Sequence, residues 1–227
     1  MKNVLIFGAL GSIGNYIFRE FSNEKFNVIG TTTNKEKVEE NIIHVANNCL
    51  DNLNNISNID IIIWAHGHNF NDNIDNYDSN QFQTMIDGNV SFILNTLHFL
   101  LTNKKINDNA KMVIISSIWE QFSRENKLSY SISKAALSGL VKNVAYDLSK
   151  YNMLINNVLP GVIENDMSKK TLKPCQLEYI KNYMQFNRFV SLEDVYNTVY
   201  FLTNQNTGIT GQSITVDLGF TSIRKYN

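Results

Sequence analysis

The stretch Val4-Leu5-Ile6-Phe7-Gly8-Ala9-Leu10-Gly11-Ser12-Ile13-Gly14 decides the fold. Its four consecutive apolar residues read as a strand covered on both faces, and the glycines behind them as a tight turn. An amphipathic helix over Ile13–Ser22 follows. A glycine turn between strand and helix lets the backbone approach a pyrophosphate, whose charge the helix N-terminus stabilises. The spacing Gly8-xx-Gly11-xx-Gly14 departs from the GxGxxG of the standard dinucleotide fingerprint. Gly8, Leu10, Gly11, Ser12, Ile13 and Gly14 are therefore the first candidate cofactor contacts.

Outward from this stretch, short β-branched runs alternate with longer segments of helical period. Strands are expected at Val4–Phe7, Asn27–Thr31, Ile42–Val45, Asp60–Ala65, Lys111–Ser116, Leu154–Leu159 and Ser213–Val216. Helices are expected at Ile13–Ser22, Asn80–Thr102, Ser131–Lys150, Thr171–Met184 and Leu192–Leu202, with an ill-defined segment after Leu50. Such alternation argues for βαβ units and a parallel sheet. The expected class is α/β: a Rossmann-type, doubly wound parallel sheet of about seven strands with helices on both faces. With no linker or repeat visible, residues 1–227 read as a single NAD(P)-binding domain.

Bulk composition narrows the partners. Hydrophobic residues make up 43% and charged residues 18%, and the net charge is −1. Nothing in that balance draws the chain toward nucleic acid or an anionic membrane. No stretch approaches the roughly 20 apolar residues of a membrane span. The apolar run after Met1-Lys2-Asn3 is too short for a signal peptide. Cys49 and Cys175 lie outside any CxxC or Cys/His spacing and read as free thiols. The expectation is a cytoplasmic protein without a metal site.

The second strand ordinarily distinguishes NAD from NADP, because an acidic residue there bonds the ribose 2′-hydroxyl and repels a 2′-phosphate. Here it runs into Thr31-Thr32-Thr33-Asn34-Lys35, with no carboxylate before Glu36. Thr32, Thr33 and Asn34 are taken as cofactor contacts, and NADP(H) is favoured over NAD(H). A solvated polar turn would look the same.

Tyr130 and Lys134, in Tyr130-Ser131-Ile132-Ser133-Lys134, fall four apart at the start of an expected helix and so share a face. A free phenol ionises near pH 10. A cation held close favours the phenolate. Alone the pair is weak, since Tyr and Lys often meet at this spacing on solvated helices. Upstream, Met112-Val113-Ile114-Ile115-Ser116-Ser117 reads as a buried strand ending in hydroxyls, and Asp87-Gly88-Asn89-Val90 opens the apolar half of a long helix. Downstream come Asn156-Asn157-Val158-Leu159-Pro160-Gly161-Val162-Ile163-Glu164 and Ile209-Thr210-Gly211-Gln212.

Taken together and in this order, these segments resemble the short-chain dehydrogenase/reductase family, in particular its shorter 3-oxoacyl-[acyl-carrier-protein] reductase-like members. The resemblance implies four catalytic residues. Tyr130 is the proton donor, Lys134 lowers its pKa and bonds the nicotinamide ribose, and Ser117 orients the carbonyl oxygen. Asn89 kinks its helix and helps hold a water chain to the lysine. It also implies cofactor contacts at Ala65, His66 and Gly67, in the place of the family's Asn-Ala-Gly. Further contacts are Tyr130 and Lys134 themselves, Pro160, Gly161, Val162, Ile163, and Asn165 where the family has Thr or Ser. The glycine spacing is similar to that of longer, sugar-modifying members.

The implied activity is hydride transfer between a nicotinamide cofactor and a carbonyl/alcohol substrate, with ketone reduction the favoured direction. A sugar-nucleotide-modifying epimerase or keto-sugar reductase, and a noncatalytic NAD(P)-sensing protein, are the alternatives. The segments 118–129 and 164–186 are expected to line the substrate pocket. Trp119, Phe122, Met167, Tyr179 and Met184 would supply apolar surface there, and Glu120, Gln121, Arg124 and Lys169 polar groups. The Thr171–Met184 segment is the expected lid. The apolar helices around Phe92–Leu101 and Leu137–Val144, with the related oligomers, point to a homodimer or homotetramer.

Overall fold

The computed structural model describes residues 1–47, 49–163 and 186–223, together with 175, 178, 181, 182 and 184. Strands β1 (Asn3–Phe7), β2 (Asn27–Thr32), β3 (Ile42–His44), β4 (Ile59–Trp64), β5 (Ile106–Ile115), β6 (Leu154–Pro160) and β7 (Ser213–Val216) form one seven-stranded sheet. Its order is β3-β2-β1-β4-β5-β6-β7, and every pairing is parallel. The helices are α1 (Ser12–Asn23), α2 (Ser79–Ile86), α3 (Phe92–Thr102), α4 (Leu128–Leu148) and α5 (Leu192–Tyr200).

Alternate residues of each strand feed separate cores, which is why the strands read as unbroken apolar runs. Val4 and Ile6 of β1 pack with Ile17 and Phe21 of α1 and Val195 and Val199 of α5. Leu5 and Phe7 pack on the other face with Ile93, Leu97 and Leu100 of α3 and Leu137 and Val141 of α4. Trp64 stacks on Phe7 at 5.7 Å, and its indole N–H donates to Thr96 Oγ1 of α3 at 3.0 Å, so its one polar atom is satisfied inside the core.

The strand order reverses direction between β1 and β4, and the crevice at that switch point is where such sheets bind ligands. Three expectations are corrected. The segment Asn80–Thr102 is not one uniform helix: a π-helical turn at Asp87–Ser91 separates α2 from α3. The segment after Leu50 is only a 3₁₀ turn, Asp51–Asn55, so a short connection replaces a full crossover helix. β5 begins five residues earlier than expected, at Ile106, where Ile59 pairs with Ile106 before a shift in register. The Thr171–Met184 helix and lid, with Met167, Lys169 and Tyr179, lie outside the residues described continuously.

Candidate active site

A cavity of about 370 Å³ opens at the switch point. Gly8, Leu10, Gly11, Ser12, Ile13, Thr32, Thr33, Ala65, His66 and Gly67 line it, as read from the sequence; Thr31, Asn47, His68, Gly88 and Phe92 join them. Asn47 had no motif to mark it. It is brought in by the turn after β3, where its amide donates to the Asp87 carbonyl at 3.2 Å.

The glycine turn fits a dinucleotide. Gly8 has φ +80°, and a Cβ there would stand 2.8 Å from the His66 backbone. A Cβ on Gly14 would stand 2.2 Å from the Gly8 carbonyl oxygen. Gly14 thus shapes the turn without lining the cavity. Gly11 donates its N–H to Gly8 and caps α1, whose first turn carries no acidic residue to offset the positive end of its dipole. The Asn34 side chain accepts from the Glu36 N–H at 2.9 Å and caps the 3₁₀ turn Lys35–Lys37; Asn34 does not itself line the cavity, though its N–H bonds Thr32 Oγ1, which does.

On the adjoining side, Tyr130, Lys134, Ser117 and Asn89 are all buried. α4 begins where it does because Asp72, from the loop after β4, accepts from the Ser129 N–H at 3.0 Å and also bonds the Ser129 hydroxyl. One turn of helix then sets the Lys134 ammonium 5.7 Å from the centre of the Tyr130 ring. That ammonium donates to the Ile115 carbonyl at the end of β5, at 3.1 Å. Ser117 lies two residues further, and its hydroxyl acts on the Tyr130 phenol.

Asn89 sits in the π-helical turn. Its amide donates to the His68 carbonyl at 3.0 Å and to Ser133 Oγ at 2.9 Å, and its oxygen accepts the His68 N–H at 2.7 Å. It therefore clips the loop after β4 to α4. A Cβ on Gly67 would lie 3.2 Å from Asn89 Oδ1 and 3.6 Å from Lys134 Nζ, so residues far apart in the chain meet at one point. Pro160, Gly161, Val162 and Ile163 leave the end of β6, and Val162 accepts from the Val190 N–H at 3.2 Å; they do not line the cavity. Asn165 lies outside the described residues.

The electrostatics differ from expectation at Tyr130. Burial pushes its phenol up to about 12, with the Ser117 hydroxyl acting in the opposite direction. The same burial lowers Lys134 to about 8, opposed by the charge of Glu120. His66 is lowered to about 3 by burial and then by the charges of Lys134 and His68, so its imidazole is neutral. Glu120, expected as a pocket group, is instead buried at 8% exposure. It accepts from Ser213 Oγ at 2.5 Å and Asn157 Nδ2 at 3.1 Å.

Residues 46–221 match the family model described as enoyl-(acyl carrier protein) reductase. The 3-oxoacyl-[acyl-carrier-protein] reductase FabG of Rickettsia conorii is 31% identical over 236 aligned positions, covering 96% of each chain. This chain belongs to the short-chain dehydrogenase/reductase family. The FabG of Rickettsia bellii is 29% identical with the same coverage. A short-chain dehydrogenase family protein from Francisella tularensis superposes with a TM-score of 0.86 at 22% identity, over 98% of this chain and 100% of its own. The aldohexose dehydrogenase of Thermoplasma acidophilum does so with 0.87 at 21%, over 100% and 97%. The likeness to these two is one of fold. As a short-chain dehydrogenase/reductase the chain is an oxidoreductase acting on a CH–OH/C=O pair with a nicotinamide cofactor.

Proposed function

We propose that this short-chain dehydrogenase/reductase is an NADP(H)-dependent carbonyl reductase whose proton donor is Tyr130. One observation carries the reading: the buried Tyr130 phenol lies with the Lys134 ammonium 5.7 Å from its ring and the Ser117 hydroxyl beside it. Tyr130 holds its proton at neutral pH, as a free phenol does, and burial reinforces that state, so it can give the proton to a carbonyl oxygen.

In this mechanism Ser117 donates a hydrogen bond to the substrate oxygen and stabilises the charge that develops there. Tyr130 delivers the proton to that oxygen; general acid help of this kind contributes about 10²–10⁴-fold. Lys134 supplies positive field to the phenolate left behind and would bond the nicotinamide ribose. Asn89 holds the loop that carries Gly67 against Lys134. When bound, the nicotinamide supplies the hydride to the carbonyl carbon. Gly8, Leu10, Gly11, Ser12 and Ile13 would hold its pyrophosphate at the start of α1, and Ala65, His66 and Gly67 its adenosine side.

NADP(H) is favoured because Thr31, Thr32 and Thr33 line the cavity at the end of β2, and no carboxylate is among the described residues around it. A 2′-phosphate meets hydroxyls there and no repulsion. The reading takes residues 1–227 as one nucleotide-binding domain. It includes a homodimer or homotetramer, supported by Leu94 and Tyr146, which stay exposed at 44% and 82%. Phe92, Leu97, Leu137 and Val141 are spent on the chain's own core instead.

The test is nicotinamide absorbance with a panel of ketones, keto-sugars and 3-oxoacyl thioesters, the last being the substrate class named for the Rickettsia relatives. Tyr130→Phe is expected to keep its fold and its NADPH affinity while losing at least 100-fold in kcat, the lower end of general acid–base help. Near-normal turnover in that variant rejects the assignment.

A further inference from the structure

Among the described residues, Lys134 is one of two lysines beside the Tyr130 ring. Lys127 Nζ lies 5.5 Å from the ring centre, against 5.7 Å for Lys134 Nζ. Lys127 is 2% exposed. Its ammonium donates to Asn69 Oδ1 at 2.6 Å and Asn71 Oδ1 at 2.7 Å, both from the loop after β4. These acceptors are neutral, so they satisfy its hydrogens without cancelling its charge. Asp72, the acid whose field reaches it, spends its two oxygens on Ser129.

A buried ammonium is costly to keep, and a neutral donor would tie the same loop to α4 at less cost. We propose that Lys127 is a positioning residue of the proton-transfer centre: held by Asn69 and Asn71, its ammonium adds to that of Lys134 in stabilising the ionised Tyr130 phenol. The proposal rests on the reading of Tyr130 as proton donor. It makes proton release easier at a phenol that burial otherwise holds protonated.

The charged and hydrogen-bonding groups that act on the pair among the described residues enter this balance. Ser117 faces the phenol from the end of β5, and Glu120 and His66 face Lys134 from the turn after β5 and the loop after β4. Arg124, ahead of α4, repels Lys127, and Asp72 attracts it. Burial and Arg124 bring Lys127 down to about 8, so its charge is present below that pH. An opposite charge within about 4–6 Å of a titrating group shifts its pKa by about 1–3 units. The 5.5 Å separation is measured to the ring centre and Lys134 is already in place, so only the low end of that range, about one unit, is expected from Lys127.

The experiment places tetrafluorotyrosine at position 130 of the full chain. Its electron-poor phenol ionises well below that of tyrosine, and its fluorine signal reads that ionisation without turnover. Lys127→Gln, which keeps an N–H for Asn69 and Asn71, is expected to raise the midpoint by about one unit. Asn71→Asp, which sets a carboxylate against the ammonium without removing it, is expected to raise it likewise. Lys127→Arg keeps the charge and should leave the midpoint in place. An unmoved midpoint in either neutralising variant overturns the proposal, as does an equal shift in Lys127→Arg. Should Lys127→Gln fail to fold, Asn71→Asp decides. Turnover retained by Tyr130→Phe would reject the reductase reading by a different measurement.

Discussion

A methyl group added at Gly14 should destabilise this protein, whereas one added at Gly139 should stabilise it, although both glycines lie within helices. At Gly14 the new Cβ would be 2.2 Å from the Gly8 carbonyl oxygen and 2.9 Å from its carbon. A carbon and a carbonyl oxygen sit comfortably at about 3.3–3.6 Å, so the start of α1 must move by about 1 Å. Those neighbours are backbone, and they belong to the turn that shapes the cofactor cavity. Overpacking of this kind costs about 1–3 kcal/mol or more, against a gain of about 1 kcal/mol from helix propensity. At Gly139 nothing lies within 4 Å of the added carbon, so the propensity gain of about 0.5–1 kcal/mol stands alone. For a chain of this length 1 kcal/mol moves Tm by about 2–4 °C. Thermal unfolding followed by circular dichroism should show Gly139→Ala melting about 1–4 °C above the parent and Gly14→Ala below it. NADPH fluorescence titration should show weaker binding for Gly14→Ala only. A Gly14→Ala protein that melts at or above the parent and binds NADPH normally would refute the close-approach argument.

Two pH dependences are also expected. Burial, opposed by Ser116, Ser213, Lys134 and Asn157, holds the Glu120 carboxyl above its ordinary value of 4.5. The folded state therefore keeps a proton that the unfolded chain gives up, and stability declines as pH rises above 4.5. Glu120→Gln should abolish that slope, read as urea midpoints from pH 4.5 to 8; parallel curves for the two proteins would count against it. Asp194 behaves oppositely. The hydrogen bond from Arg188, at 2.7 Å, holds its carboxyl down at about 2, so its contribution is present above 3.8 and lost as pH falls toward 2. Arg188 is half-exposed, so solvent and salt screen the pair. Asp194→Asn should flatten the acid limb of an unfolding curve only slightly, and a large loss of stability at neutral pH would show that the pair does more than cap α5.

Much of the fold was legible because each level of the chain points the same way. Strands covered by helices on both faces carry apolar residues at every position, as Val4 to Phe7 and Ile61 to Trp64 do. Periodicity did not show the π-helical form of the turn at Asp87–Ser91, because it differs from an α-helix by one residue in a single turn; only the family resemblance placed a kink there, at Asn89. Glu120 misled for another reason. A charged residue in an expected loop reads as solvated or pocket-lining, and only the meeting of β6 and β7 supplies the Asn157 and Ser213 donors that allow its burial. Asn34 and Asn47 exchanged roles on similar grounds: one turns back to cap its own 3₁₀ turn, and the other is carried to the cavity by the turn after β3.

The sequence by itself determined the order of strands and helices, the glycine turn, and the identity of the chemical groups at Ser117, Tyr130 and Lys134. These follow from periodicity and from residue types at short spacing, which the local chain expresses without help. Tertiary structure alone decided the electrostatics. Burial raises the Tyr130 phenol above its free value because the folded chain removes water from around it, and a second ammonium, Lys127, stands by its ring because Asn69 and Asn71, from the loop after β4, hold it there. Desolvation and field depend on every neighbour in space, and residues 44 or more positions apart, such as Asn89 and Ser133, become neighbours only when the sheet has formed.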